Sequence, residues 1–236
     1  MNYLVIGGSS GIGKEYILNL VSPENVIILG KRPELDFEIV HSHRYVSIDL
    51  ADPKAISEFV TNNEISFDRI LFSAGYLENN PLQVFDSSKW INQVAVNLTS
   101  IGVLLGTLYR KRKINKDANI VIISSINGTV RGSKGCIGYA SAKAGIEGFV
   151  RVFANEAGKK LIKINSISPG MVKTPLMDGL NHISNEQLEL DMKRYPLGGR
   201  YAETSDINKL IDYFLEKNTY ITGQNIIIDG GHTIAG

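Results

Sequence analysis

The strongest constraint on this chain is an alternation. Short runs at residues 3–6, 26–29, 45–48, 69–72, 120–123, 163–167 and 225–228 are mostly rich in Ile and Val, and those at 3–6, 26–29 and 120–123 are apolar throughout. Parallel strands buried on both faces read this way. Between the runs, residues 12–20, 53–61, 87–110, 139–157 and 205–215 repeat their apolar positions at helical spacing. The rhythm predicts an α/β fold: a Rossmann-type, doubly wound parallel sheet of seven strands with helices on both faces. No stretch reads as a linker, repeat or low-complexity tract, so residues 1–236 are expected to form a single domain. Residues 174–200 show no strand pattern and read as an insertion after the sixth strand, where ligands sit at the carboxyl ends of such sheets.

Composition narrows the class of function. A chain of 236 residues, 43% apolar and 21% charged, buries a large core without covalent staples. One cysteine, Cys136, excludes an internal disulfide and fits a reducing compartment. A net charge of +1 gives no pull toward nucleic acid or an anionic membrane. The opening MNYLVIGG lacks the basic region of a signal peptide, and its apolar run breaks at Gly7. No apolar run is expected to approach the roughly 20 residues that span a bilayer. The expectation is a cytoplasmic protein with neither a membrane nor a nucleic-acid partner.

Residues Gly7-Gly8-Ser9-Ser10-Gly11-Ile12-Gly13 follow the first strand and open the first helix. Gly7 permits a tight turn, Gly11 lets a phosphate approach the backbone, and Gly13 allows close helix–strand packing. The helix N-terminus then offers free N–H groups and partial positive charge to an anion. The spacing is G-x-x-x-G-x-G, not G-x-G-x-x-G, and by itself it also suits a plain tight turn. After the second strand come Lys31 and Arg32, where dinucleotide folds often carry an acidic residue for the ribose 2′-OH. Two cations there attract a 2′-phosphate and favour NADP(H) over NAD(H); a solvated basic loop is the bland alternative.

Tyr139 and Lys143 lie four residues apart in a helical stretch, so their side chains share one face. A free tyrosine titrates near pH ~10, and a neighbouring ammonium favours its phenolate. Bringing it toward neutrality takes roughly 3–4 kcal/mol and makes it a usable proton donor or acceptor. Ser124 and Ser125 close the fifth strand, where a hydroxyl can bind a carbonyl oxygen.

In this order, the glycine turn, a serine and Tyr-x-x-x-Lys resemble the short-chain dehydrogenase/reductase family. Further segments agree from residue 3 to about residue 231: Asp49-Leu50, Ser73-Ala74-Gly75, Asn97 in Val-Asn-Leu, Pro169-Gly170 with Thr174, Ile221-Thr222-Gly223-Gln224 and Asp229-Gly230-Gly231. The resemblance implies a nicotinamide-dependent reduction of a small-molecule carbonyl to an alcohol, with no metal. It implies that Ser125, rather than Ser124, orients the carbonyl. Tyr139 is then the general acid/base, and Lys143 holds the nicotinamide ribose and lowers the tyrosine pKa. Asn97 supports a water that links Lys143 to solvent. Cofactor contacts are implied for Gly7, Ser9, Ser10, Gly11, Ile12, Gly13, Lys31, Arg32, Asp49, Leu50, Ser73, Ala74, Gly75, Asn97, Tyr139, Lys143, Pro169, Gly170, Val172 and Thr174. A homodimer or homotetramer through the helices carrying Asn97 and Tyr139, plus the last strand, is also implied. The rival reading is a regulatory or scaffold protein that binds cofactor without turnover.

The chain departs from the family pattern at Ile6, where threonine is usual, and at Phe72 and Ser73, where asparagines are usual. Losing those side-chain ties is expected to cost about 1 kcal/mol each. His41, His43, His182 and His232 are read as surface or loop residues, Cys136 as an inert thiol or pocket border, and Trp90 as core or interface. Leu176, Met177, Leu180, His182, Leu188, Leu190, Met192 and Tyr195 are expected to form a helical lid.

Overall fold

A computed structural model describes residues 1–21, 23–180 and 184–235. Strands β1 (Asn2–Ile6), β2 (Asn25–Gly30), β3 (His43–Ser47), β4 (Phe67–Phe72), β5 (Ile114–Ile123), β6 (Lys163–Pro169) and β7 (Asn225–Ile228) form one sheet in the order β3-β2-β1-β4-β5-β6-β7. Every neighbouring pair is parallel; Val5, for example, lies between Ile28 and Leu71. Helices are α1 (Gly11–Leu18), α2 (Pro53–Asn62), α3 (Ser87–Val94), α4 (Ser100–Arg110), α5 (Ile126–Thr129), α6 (Ile137–Ala157), α7 (Asn185–Met192) and α8 (Thr204–Asp212).

Alternating side chains of each strand feed two apolar layers. Leu4 and Ile6 of β1 pack with Ile56, Ile101, Leu104 and Ile146 under α2, α4 and α6. Tyr3 and Val5 pack with Ile17, Ile207 and Ile211 under α1 and α8. The two layers are why central strands read as unbroken apolar runs. Both edges depart from that reading. His43, Arg44 and Ser47 of β3 are exposed, and β7 is only half-buried; an edge strand lacks a neighbour on one side. Strand β5 also begins earlier than its apolar core suggests. Ile114 pairs with Phe67 and Asn119 with Arg69, and the register shift between them leaves Asn115–Ala118 without β4 partners.

Helices α3 and α4 are joined by a π turn at Ala95–Thr99. Contrary to the sequence expectation, the continuous stretch Ser87–Arg110, with mean hydropathy 1.4, is long and apolar enough to cross a bilayer. Its apolar stripe faces the sheet instead: Ile101, Leu104, Leu105 and Leu108 are fully buried.

The departures at Ile6, Phe72 and Ser73 are compensated locally. Phe72 and Ile6 are fully buried apolar residues. The Ile6 carbonyl accepts from the backbone N–H groups of Ser73 (2.8 Å) and Ala74 (3.0 Å) and from the Ser73 hydroxyl (2.9 Å). Ser73 thus keeps one side-chain tie between β4 and β1, while Ile6 and Phe72 supply none. The turn after β1 leaves no room for a side chain. Gly7 has φ +85°, and a Cβ there would lie 2.4 Å from the Ala74 nitrogen.

Two substitutions test this junction. Ser73→Ala should lower unfolding free energy by about 1 kcal/mol, the net worth of one hydrogen bond. Gly7→Ala should lower it by more than about 2 kcal/mol, because backbone must move and a left-handed conformation is strained. Urea denaturation reads both, and equal effects would contradict the geometry.

Candidate active site

The carboxyl ends of β1, β2, β4 and β5 open onto one cleft of about 440 Å³. Its floor is the glycine turn. Ser10 precedes α1 but makes no side-chain cap, so the first-turn amides of Gly11, Ile12 and Gly13 are left for another acceptor. Gly13 approaches so closely that a Cβ would sit 2.4 Å from the Ser73 hydroxyl and 2.6 Å from the Gly7 carbonyl oxygen. Gly8, to which the sequence reading gave no role, would place a Cβ 2.4 Å from Ile17 and 2.7 Å from Ile28. It is therefore Gly8 that sets the approach of α1 to β2.

At one end of the cleft lie Lys31, Asp49 and Leu50, and along its wall Ser73, Ala74 and Gly75. Lys31 pairs with Asp49 at 3.0 Å, both well exposed. The Ala51 N–H and then Lys31 hold the Asp49 carboxyl below its usual range. Arg32 does not line the cleft; it pairs with Asp36 at 2.5 Å. Exposed pairs of this kind are worth about 0–1 kcal/mol, so an incoming anion competes with them readily.

At the other end stand Tyr139 and Lys143, one turn apart on α6 and both buried. The Lys143 ammonium is 5.4 Å from the Tyr139 ring centre and donates to the Ile123 carbonyl at 2.8 Å. Ser124 and Ser125 have separate jobs. The buried Ser124 hydroxyl donates to the Lys143 carbonyl at 3.2 Å, tying β5 to α6. The Ser125 hydroxyl accepts from the Asn127 N–H at 3.1 Å and lies with Tyr139 on a second, adjoining cavity of about 110 Å³. Pro169, Gly170, Val172, Thr174 and Met177 complete that cavity's wall.

Burial dominates the charges. It pushes Tyr139 up to about 12, with Ser125 acting in the opposite direction and Cys136 adding slightly to the rise. It drives Lys143 down to about 7. The expected lowering of Tyr139 by a neighbouring ammonium is thus absent among the protein's own groups. A lysine so easily discharged supplies little cationic field where tyrosine titrates.

Asn97 sits in the π turn and is fully buried. Its Nδ2 donates to the carbonyls of Tyr76 (2.7 Å) and Gln93 (2.8 Å), and its Oδ1 accepts from the Tyr76 N–H (3.0 Å). Both amide donors are engaged, so the side chain braces the loop after β4; one Oδ1 lone pair remains for a water. Tyr76, Asn92 and Val96 also line the cleft and were missed in the sequence. Asn92 and Val96 stand four positions apart in a helical stretch, which places them on one face.

The segment after β6 is fastened at its root. Val172 bridges to Ala202, and Lys173 pairs with Glu203 at 2.5 Å. Leu176 and Met177 do face the cavities. Leu190 instead points to solvent, and Tyr195 is buried against His232, with ring centres 4.3 Å apart. His232, expected as a surface or loop residue, lies in a loop but is buried by this stack, which its local sequence does not signal. His182 lies outside the described residues. Cys136 is buried, its thiol pushed up by burial, and lines neither cavity. Trp90 is half-buried beside Phe85.

A family model described as enoyl-(acyl carrier protein) reductase matches residues 32–233. The 3-oxoacyl-[acyl-carrier-protein] reductase of Buchnera aphidicola subsp. Schizaphis graminum is 29% identical over 97% of this chain and 95% of its own length. A 3-alpha-(or 20-beta)-hydroxysteroid dehydrogenase of Mycobacterium tuberculosis is 28% identical over 99% and 89%. Among solved structures, a short chain dehydrogenase family protein from Francisella tularensis superposes with a TM-score of 0.88 at 27% identity, covering 99% of this chain and 98% of that one. A 4-hydroxyisoleucine dehydrogenase mutant in complex with NADH and succinate gives 0.86 at 27%, covering 99% of each.

The buried lysine makes stability depend on pH with a definite sign. An unfolded lysine keeps its proton to about pH 10.5, whereas folded Lys143 releases it near 7. Between those values the unfolded chain holds more protons, so folding gains stability as pH rises. Lys143→Met should therefore flatten the stability profile between about pH 7 and pH 10 in urea titrations. A variant with the parent's slope would show that Lys143 is not its source.

Proposed function

The chain belongs to the short-chain dehydrogenase/reductase family, and from that premise we propose that it reversibly reduces a carbonyl to an alcohol with NADPH, using Tyr139 as general acid and base. The observation that carries the reading is the convergence of Ser125, Tyr139 and Lys143 at the inner end of a cleft floored by the uncapped amides of α1. The cleft also fits the cofactor: glycines whose Cβ atoms would collide line its base, and a helix N-terminus faces an anion.

When bound, the nicotinamide supplies the hydride. The Ser125 hydroxyl donates to the substrate oxygen and fixes its direction. Tyr139, protonated at neutral pH, gives its proton to that oxygen as the carbon is reduced. Lys143 holds the ribose hydroxyls and, once ammonium, stabilises the phenolate left behind. Asn97 braces the π turn, and a water on its remaining lone pair returns a proton to Lys143. Lys31, with Arg32 swung from Asp36, attracts a 2′-phosphate, which favours NADP(H) over NAD(H). The whole chain acts as one domain. Exposed Ile91, Val152 and Ile227 on the α3, α6 and β7 faces fit a homodimer or homotetramer.

Two measurements test the reading. Tyr139→Phe should abolish turnover while leaving cofactor affinity within about twofold; retained turnover removes the role given to Tyr139. In fluorescence titrations NADPH should bind more tightly than NADH, and Lys31→Ala/Arg32→Ala should erase the difference by weakening NADPH about tenfold or more. NADH binding as tightly as NADPH would refute the cofactor preference.

A further inference from the structure

Ser125 is the N-terminal cap of α5, a four-residue turn. Asn127 (ψ 110°) and Gly128 (φ 106°) leave the helical region inside it. Beside the backbone bonds of the turn, a side chain holds the Ser125 peptide: the Thr129 hydroxyl reaches back to the Ser125 carbonyl at 2.7 Å. That hydroxyl also meets the Ser168 hydroxyl at 2.9 Å. Ser168 is fully buried on β6 and touches the Asn225 amide of β7 at 2.8 Å, as Ser166 does at 3.0 Å.

Ser166 and Ser168 both donate to the Asn225 Oδ1, and Thr129 donates to the Ser125 carbonyl. Between Thr129 and Ser168 either hydroxyl can be the donor, and the 2.9 Å contact links β6 and β7 to the turn after β5.

Resting on the role proposed above for Ser125, we propose that Thr129 and Ser168 are positioning residues. Their hydroxyl pair transmits the placement of β6 and β7 to the Ser125 backbone and so aims the Ser125 hydroxyl toward Tyr139. Misplacing a reacting group by an ångström costs large factors in rate without touching cofactor affinity. Neither Thr129 nor Ser168 lines either cavity, so loss of their hydroxyls is expected to leave NADPH affinity unchanged.

Thr129→Val removes the hydroxyl at constant shape, Ser168→Ala removes its partner, and Thr129→Ser restores the donor. Turnover is followed with ethyl acetoacetate and NADPH, cofactor affinity by fluorescence, and exchange of the Asn127 amide by NMR. The first two variants should each lose about tenfold or more in kcat at unchanged NADPH affinity, with Thr129→Ser within about threefold of the parent. A Thr129→Val kcat within about twofold of the parent overturns the proposal. If the parent itself does not reduce the probe, the function proposed above fails for that substrate and the exchange rate decides. Faster exchange of the Asn127 amide in Thr129→Val, by about tenfold, upholds the relay, and an unchanged rate overturns it.

Discussion

The site depends on the place where the sheet reverses its order. β1 is flanked by β2 on one side and β4 on the other, so successive crossovers leave it in opposite directions. The loops after β1 and β4 part there and open a crevice at the carboxyl ends of the strands. The crevice would gape if its lips were free. They are held by the Ile6 carbonyl, which draws in two backbone amides and a hydroxyl from Ser73 and Ala74. Close approach at this seam excludes any side chain at Gly7 or Gly13, which leaves the α1 amides bare and directed into the cleft.

A second tie sets the chemistry. α6 lies against β5 through two crossed hydrogen bonds, Lys143 Nζ to the Ile123 carbonyl and the Ser124 hydroxyl to the Lys143 carbonyl. They place an ammonium and a phenol in a nearly dry wall. There burial opposes charge on both groups, raising the tyrosine and lowering the lysine. Each is thereby kept close to the form that exchanges a proton with a neutral partner, and added charge nearby moves both.

The seven strands and the main helices were legible because two-sided burial leaves an unbroken apolar run and one-sided burial leaves a helical period. The glycine turn, Tyr139, Lys143 and Ser125 stood out by order and spacing. What the pattern hid were contacts between residues far apart in the chain. The compensation of Ile6 by Ser73 spans 67 positions. The stack of His232 on Tyr195 and the engagement of the Asn97 amide by Tyr76 are equally silent in local sequence.

The sequence by itself determined the class of fold, the position of the glycine turn and the pairing of Tyr139 with Lys143 on one helix face, because periodicity and spacing are local and survive in one dimension. Tertiary structure alone decided how those groups are charged and aimed. Which serine braces α6 and which faces Tyr139, whether Arg32 reaches the cleft, and how far Lys143 is discharged all follow from burial and from partners supplied by other strands. Desolvation and hydrogen-bond direction are properties of a packed neighbourhood, and a linear pattern does not contain them.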